Sequence, residues 1–149
     1  MANRIHVKSE GMVYDEKNAG AAGILPGMLV MLNSSDKVVI HATRGGRGQL
    51  MIVLEDSLQG NTVSDAYTAD NPVRVWMPRR GDVFYGLLKD GQDVNIGDQL
   101  ISAGDGKFEE VAQAVSAGVT VQQAFAEVLE ACDTTVSGVT DTLVKMRAL

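Results

Sequence analysis

From Ile24 the chain reads Ile-Leu-Pro26-Gly27-Met-Leu-Val-Met-Leu32, breaks at the polar run Asn33-Ser34-Ser35-Asp36, and turns apolar again as Lys37-Val38-Val39-Ile40. Two apolar stretches of strand length joined by turn formers predict a β-hairpin whose entry is set by Pro26-Gly27. The pattern returns between Asn95 and Phe108. Gly97 falls where Gly27 does, Leu100-Ile101 match Val30-Met31, and Lys107 matches Lys37. This echo covers about fourteen positions, too few for a solenoid, and predicts two similar hairpin corners in one sheet-built domain.

The rest of the pattern is also mostly of strand type. Arg4 to Lys8 alternates apolar and polar residues, as a half-buried strand does, and is followed by the small, flexible stretch Asn18 to Gly23. Two readings stand for this region: an arm over residues 1–23 that swings away from a body of residues 24–149, or a first edge strand packed on its own sheet. Leu50 to Leu54 is continuously apolar, which suits a strand covered on both faces. Pro72 to Trp76 sets Val73 and Val75 inward against Arg74 and Trp76 outward. Val83 to Leu88 resumes the sheet, and Asp90-Gly91 favours a tight hairpin after it. From Thr120, the residues Val121, Ala124, Phe125, Val128, Leu129 and Cys132 fall at helical spacing behind a Thr120–Gln123 capping pair. Read as a strand, the same segment puts Phe125, Glu127 and Leu129 on one face, and both readings stay open. Ser137-Gly138 marks a turn before a final strand over Thr140 to Leu149. The fold class predicted is mainly β: a single antiparallel sandwich or barrel-like domain with an extended N-terminal arm and at most one or two short helices.

Composition narrows the function classes. The 149 residues carry 13 basic and 19 acidic side chains, a formal charge of −6, which argues against direct binding of nucleic acid, where many phosphates must be neutralised. Aromatic residues are 5% of the chain, so the core must rest on Val, Leu, Ile, Met and Ala. A single cysteine, Cys132, cannot form an internal disulfide and fits manufacture in a reducing cytosol. No apolar run approaches the roughly 20 residues that span a bilayer, and the amino terminus lacks a signal peptide's basic start and apolar middle, so no membrane role is expected.

The search for chemistry points the same way. His6 and His41 stand beside no partner in a catalytic or zinc-binding spacing. Asp90, Asp93, Asp98 and Asp105 crowd a turn-rich stretch, where aspartate is a standard turn former, and they lack the loop pattern of a calcium site. Arg44-Gly-Gly-Arg47 reads as a solvated connector or as a contact with an acidic protein neighbour, and Arg80-Gly81-Asp82 as a chance tripeptide. The expectation is a chain that is not an enzyme, has no catalytic, metal or cofactor site, and works by contact.

Several motifs then carry a resemblance. Asn3-Arg-Ile-His-Val-Lys8, Ile24-Leu-Pro-Gly-Met-Leu-Val30, Leu54-Glu-Asp-Ser-Leu-Gln-Gly60, Val73-Arg-Val75 with Pro78-Arg-Arg-Gly-Asp82, and Ile96-Gly-Asp-Gln-Leu100 with Gly104-Asp-Gly106 follow one another in an order that resembles the capsid decoration, or head cement, proteins of tailed bacteriophages. The resemblance runs to about Phe108 and continues more loosely to the last strand; there it implies that Ala124 to Asp133 is a strand. It further implies a β-rich body, commonly a homotrimer, made in the host cytoplasm and seated on the outer surface of the virion capsid, where it bridges subunits of the phage major capsid protein and stabilises the head. The arm residues Arg4, Ile5, His6, Val7 and Lys8 are those it assigns to the coat partner, with Ile5 and Val7 as apolar anchors and Arg4 and Lys8 pairing with carboxylates. Such an arm would be removable without unfolding the body. A carbohydrate-binding or adhesion β-module displayed on a surface is the alternative.

Overall fold

The computed structural model describes residues 3–136, 138 and 140–149, and at 36% strand and 6% helix it places the chain in the mainly β class. In chain order the elements are β1 (His6–Lys8), β2 (Tyr14–Asn18), β3 (Val30–Leu32), β4 (Val38–Ile40), β5 (Ile52–Val53), a 3₁₀ turn (Ser57–Gln59), β6 (Pro72–Trp76) and β7 (Val83–Leu88). They continue with β8 (Asp93–Val94), β9 (Gln99–Ser102), β10 (Phe108–Glu110), α1 (Val111–Ser116), β11 (Ala126–Val128), β12 (Cys132–Asp133) and β13 (Thr142–Ala148). The largest sheet runs β1-β7-β10-β9-β11-β13, and an added β7–β13 pairing closes it into a small barrel. Smaller sheets are β2-β6-β5, β3-β4 and β12-β8.

Both predicted hairpins form, and they are superposable in register. Leu32 pairs with Val38 and Ser102 with Phe108, an offset of 70 residues that also relates Gly27 to Gly97. The turns match too: Asn33 N–H donates to the Lys37 carbonyl at 2.9 Å and Ala103 N–H to Lys107 at 2.9 Å, with Asp36 and Gly106 both at positive φ.

The echo extends well beyond the hairpins. Gly20 N–H donates to Val38 as Lys89 N–H does to Phe108 (2.7 and 2.8 Å), so β2 lies to β4 as β7 lies to β10. Gly27 N–H to Val53 matches Gly97 N–H to Val128 (2.8 and 2.9 Å), and Leu54 N–H to Arg74 matches Leu129 N–H to Lys145 (both 2.9 Å). Thus β2, β3, β4, β5 and β6 have their counterparts in β7, β9, β10, β11 and β13: the chain is two copies of one β unit, with β1, α1, β8 and β12 as additions. Each unit has its own interior. Val30, Val38, Val53, Val73 and Val75 fill the first, and their counterparts Leu100, Phe108, Val128, Val144 and Met146 fill the second.

Several expectations are corrected here. Trp76, expected outward, is fully buried, because the outer face of β5 and β6 packs on the second unit: Trp76 meets Phe84 edge-on at 6.3 Å between ring centres. Residues 50–54 do face two cores, Leu50, Ile52 and Leu54 belonging to one cluster and Met51 and Val53 to the other. The turn at Asp90-Gly91 forms, but β8 pairs with β12 rather than with β7. The helix begins at Val111, capped by the Glu110 carboxylate, and not at the periodic stretch from Thr120. There β11 is drawn between β9 and β13, while Gln123 bonds the backbone of Gly48 instead of capping. Of the expected turn at 137–138, Ser137 lies outside the described residues.

The two corner glycines differ in surroundings. Both have positive φ, 87° at Gly27 and 95° at Gly97. A Cβ at Gly27 would lie 2.5 Å from Leu143 Cδ2 and 3.3 Å from the Tyr85 carbonyl, whereas one at Gly97 would meet nothing within 4 Å. Gly27→Ala therefore loses the left-handed conformation, worth about 1–2 kcal/mol, and in addition overpacks the junction, by about 1–3 kcal/mol; Gly97→Ala carries only the first cost. Urea unfolding of the two variants checks this, and equal losses would show that the first corner does not press on β7.

Candidate functional site

The residues expected to reach a partner lie at the outer edge of β7. There β1 pairs antiparallel to β7, His6 opposite Phe84 and Lys8 opposite Val83, with a bulge between. Tyr85 N–H donates to the Ile5 carbonyl at 2.8 Å, and Ile5 N–H donates to Glu55 Oε2 at 3.1 Å. The Ile5 side chain is fully buried. His6 sits edge-on to Trp76 at 4.9 Å and its Nε2 lies 2.9 Å from Ser9 Oγ.

β1 is therefore an edge strand on the protein's own sheet, and Ile5, just ahead of it and expected as an anchor for a coat subunit, is enclosed by its own core. The reason is physical: β7 would otherwise expose an unpaired N–H row, and Ile5 fills the apolar gap between the two units. The segment that follows is part of the body as well. β2 is laddered along β6 from Tyr14 to Asn18, Ala19 is fully buried, and Gly20 and Gly23 donate to Val38 and Tyr67. Removing the first twenty residues would strip two buried side chains, Ile5 and Ala19, and two paired strands, β1 and β2, from the fold.

What remains outward is a set of other side chains of the same segment, Val7 among them because of the bulge. Arg4, Val7 and Lys8 are exposed, and neither Arg4 nor Lys8 has an ion pair among the described residues. Val7, Met12, Val13 and Tyr14 expose 41%, 38%, 40% and 59% of their surfaces, so the link from β1 to β2 is lined with apolar groups facing solvent. Arg74 stands 5.9 Å over the Tyr14 ring. Cationic ends and an aliphatic middle on one strand edge can bind a protein surface by strand contact and burial.

Most polar groups inside have structural partners; buried Trp76 Nε1 and Glu109 Oε2 have no hydrogen-bond partner among the described residues. His41 is buried, its Nδ1 2.8 Å from Ser102 Oγ and its ring edge-on to Phe125 at 5.7 Å. Asp98 Oδ2 accepts from Asn95 N–H at 2.7 Å and Asp105 Oδ1 from Lys107 N–H at 3.2 Å, both as turn carboxylates. Arg44, read as meeting solvent or an acidic neighbour, finds its acid within the chain: its Nε donates to Glu109 Oε1 at 2.7 Å, and Lys89 Nζ lies 3.7 Å from the other oxygen. That bond to Glu109 holds the guanidinium's pKa above its usual value. The buried carboxylate of Glu109 was not singled out in the sequence; its counterpart in the first unit is Val39, and only the repeat marks the place as special. Tyr67 donates its hydroxyl to the Leu54 carbonyl at 2.7 Å, and burial pushes its pKa up to about 12. Burial, reinforced by Glu130 and Asp133, likewise holds the Cys132 thiol above its ordinary value. Among the described residues no group of His, Cys, Asp and Glu could hold a metal, and no helix is long and apolar enough to cross a membrane.

The model of a family described as XM1 gp53 minor capsid protein matches residues 2–146. No curated protein matches the sequence. Among solved structures, the chain is similar to the head fiber gp8.5 N base of bacteriophage phi29, with a TM-score of 0.58 and 14% identity over 93% of this chain and 95% of that one. At that identity the likeness is one of fold.

Ile5→Ala should cost about 2–4 kcal/mol of stability, as large-to-small changes in a core do, and Val7→Ala less than about 0.5 kcal/mol, as at exposed positions. Chemical denaturation distinguishes them; a silent Ile5→Ala would mean that β1 leaves β7 in solution.

Proposed function

Because the chain belongs to the XM1 gp53 minor capsid protein family, we propose that it decorates the outer surface of the expanded phage head, binding across junctions of the major capsid protein and stabilising them. At the coarser level it is a phage head-associated structural protein. The observation that supports the finer reading is the set of outward side chains formed by Arg4 ahead of β1, Val7 and Lys8 on it, and Met12, Val13 and Tyr14 ahead of and into β2. This set replaces the free arm as the coat-binding element: it is held rigid by Ile5 and by the β2–β6 ladder, so little ordering entropy opposes its docking.

One such contact is weak. Burying the exposed parts of Val7, Met12 and Val13 gains on the order of 2–4 kcal/mol before ordering costs are subtracted. A decoration protein must therefore bind as an assembly, and the homotrimer belongs to this proposal, because linked contacts raise apparent affinity by roughly 10²–10⁴. Cooperative clamping of several coat subunits is then what resists the pressure of packaged genome.

Purified protein mixed with expanded, undecorated shells should co-sediment with them. The triple variant Arg4→Glu, Val7→Asp, Lys8→Glu, with unchanged circular dichroism, should bind at least about tenfold more weakly, since like charges placed against an interface cost several kcal/mol. Equal binding by the variant, or none by the wild type, would overturn the proposal.

A further inference from the structure

The two β units are packed head to tail, and this leaves one unused copy of each half of their junction. In the junction that forms, the first unit contributes its glycine corner and the outer face of β5 and β6. The Gly27 carbonyl accepts from Leu87 N–H at 2.9 Å on the outer edge of β7, and Ile52 and Trp76 are buried against the second unit. The counterparts of these positions lie at the surface: Gly97, Asn18 and Arg147 are exposed and Glu127 is half-buried. The second corner, Ile96-Gly97, lies in solvent, with Ile96 70% exposed where its counterpart Pro26 is buried, and the Gly97 carbonyl has no partner among the described residues.

The receiving side is vacant in the same way. Met77 N–H to Val13 and Ala19 N–H to Asn71 fix which β2 residues face β6, so that the N–H groups of Tyr14, Glu16 and Asn18 point away from it. Asn18 corresponds to Leu87, and its N–H has no partner among the described residues; that of Glu16 is covered by Asp15 Oδ1 at 2.8 Å. The buried apolar pair of the junction, Trp76 with Phe84, maps onto Arg147 at the second corner and Asp15 at the open edge. Ile52 maps onto Glu127, which pairs with Arg147 through an Nε–Oε1 bond of 2.7 Å. The pair that is greasy within the chain is thus of opposite charge where it faces solvent.

We infer that a second copy of this chain fills the vacancy: the Ile96-Gly97 corner of one protomer docks on the β2 edge of the next, with the Gly97 carbonyl accepting from Asn18 N–H and Arg147 facing Asp15. A contact of this kind is heterologous, joining two different surfaces, and a heterologous contact closes into a ring or runs on as a filament. The ring is the form that a decoration protein at a symmetric capsid position can use. The inference deepens the self-association in the reading above by naming its surfaces, and it stands or falls without any coat protein.

Two measurements test it on the full chain. By analytical ultracentrifugation the wild type should be a discrete oligomer; Asp15→Lys and Arg147→Glu should each weaken association by about tenfold or more, and the double variant, which restores opposite charges across the contact, should regain it. In a Cys132→Ser background, mild oxidation should cross-link a mixture of Asn18→Cys and Ile96→Cys chains, and neither variant alone. A monomeric wild type, charge variants that associate as before, a double variant that stays dissociated, or cross-links within a single variant would each overturn the inference. Loss of shell binding with the oligomer intact would overturn only the earlier proposal.

Discussion

The close approach of the Gly27 corner to the edge of β7 decides how the two β units sit on one another. A backbone carbonyl can reach Leu87 N–H there only because the corner residue lacks a side chain and tolerates φ of 87°. One hydrogen bond contributes about 1 kcal/mol, so its effect is geometric. It brings Ile52 and Trp76 over the mouth of the second unit, where they and Ile5 are fully buried beside Phe84. Most of the stabilisation at the junction comes from that apolar burial. β1 then closes the remaining stretch of the β7 edge.

Much of this was legible in the chain and some was not. Pro-Gly corners and Asn/Asp turns are local chemistry, so both hairpins and the final strand could be read directly. The full repeat could not, because its equivalence lies in backbone hydrogen bonds while its side chains diverge according to surroundings. Ile52 corresponds to Glu127, Trp76 to Arg147, and Gly20 with Val39 to Lys89 with Glu109. The same divergence explains the misplacement of Trp76: simple alternation gives one inner face to a strand, and β6 has two. Of the two readings open from Thr120, the helical one gives way because the demand of β9 and β13 for a strand between them outweighs local propensity, and strands form at Ala126–Val128 and Cys132–Asp133, inside the stretch that the resemblance gave as strand. The alternation of residues 4–8 pointed to strand, which forms over His6–Lys8, but whether it pairs at home or elsewhere depends on the β7 edge, which no local pattern reports. Of the residues expected to face the coat, Arg4, Val7 and Lys8 lie outward and Ile5 does not; alternation alone would put Val7 on the side of Ile5, and the bulge between His6 and Lys8 breaks it.

The polar side chains within the molecule serve its architecture. His41 ties a loop to β9, Glu109 gathers Arg44 and Lys89, and Glu110 starts the helix. Such groups are satisfied by fixed neighbours, and the surface they support is strand edge, aliphatic side chains and scattered charge. Family membership associates the protein with the phage capsid.

A cryo-EM map of the native head in which this protein is present addresses the central claim most directly. Density for the two-unit body is expected on the outside of the shell, astride junctions of the major capsid protein, with β1 lying on its own β7 and the exposed side chains of residues 4–14 against the coat. Density confined to the interior or to the tail, or a body touching the coat only through other surfaces, would contradict it.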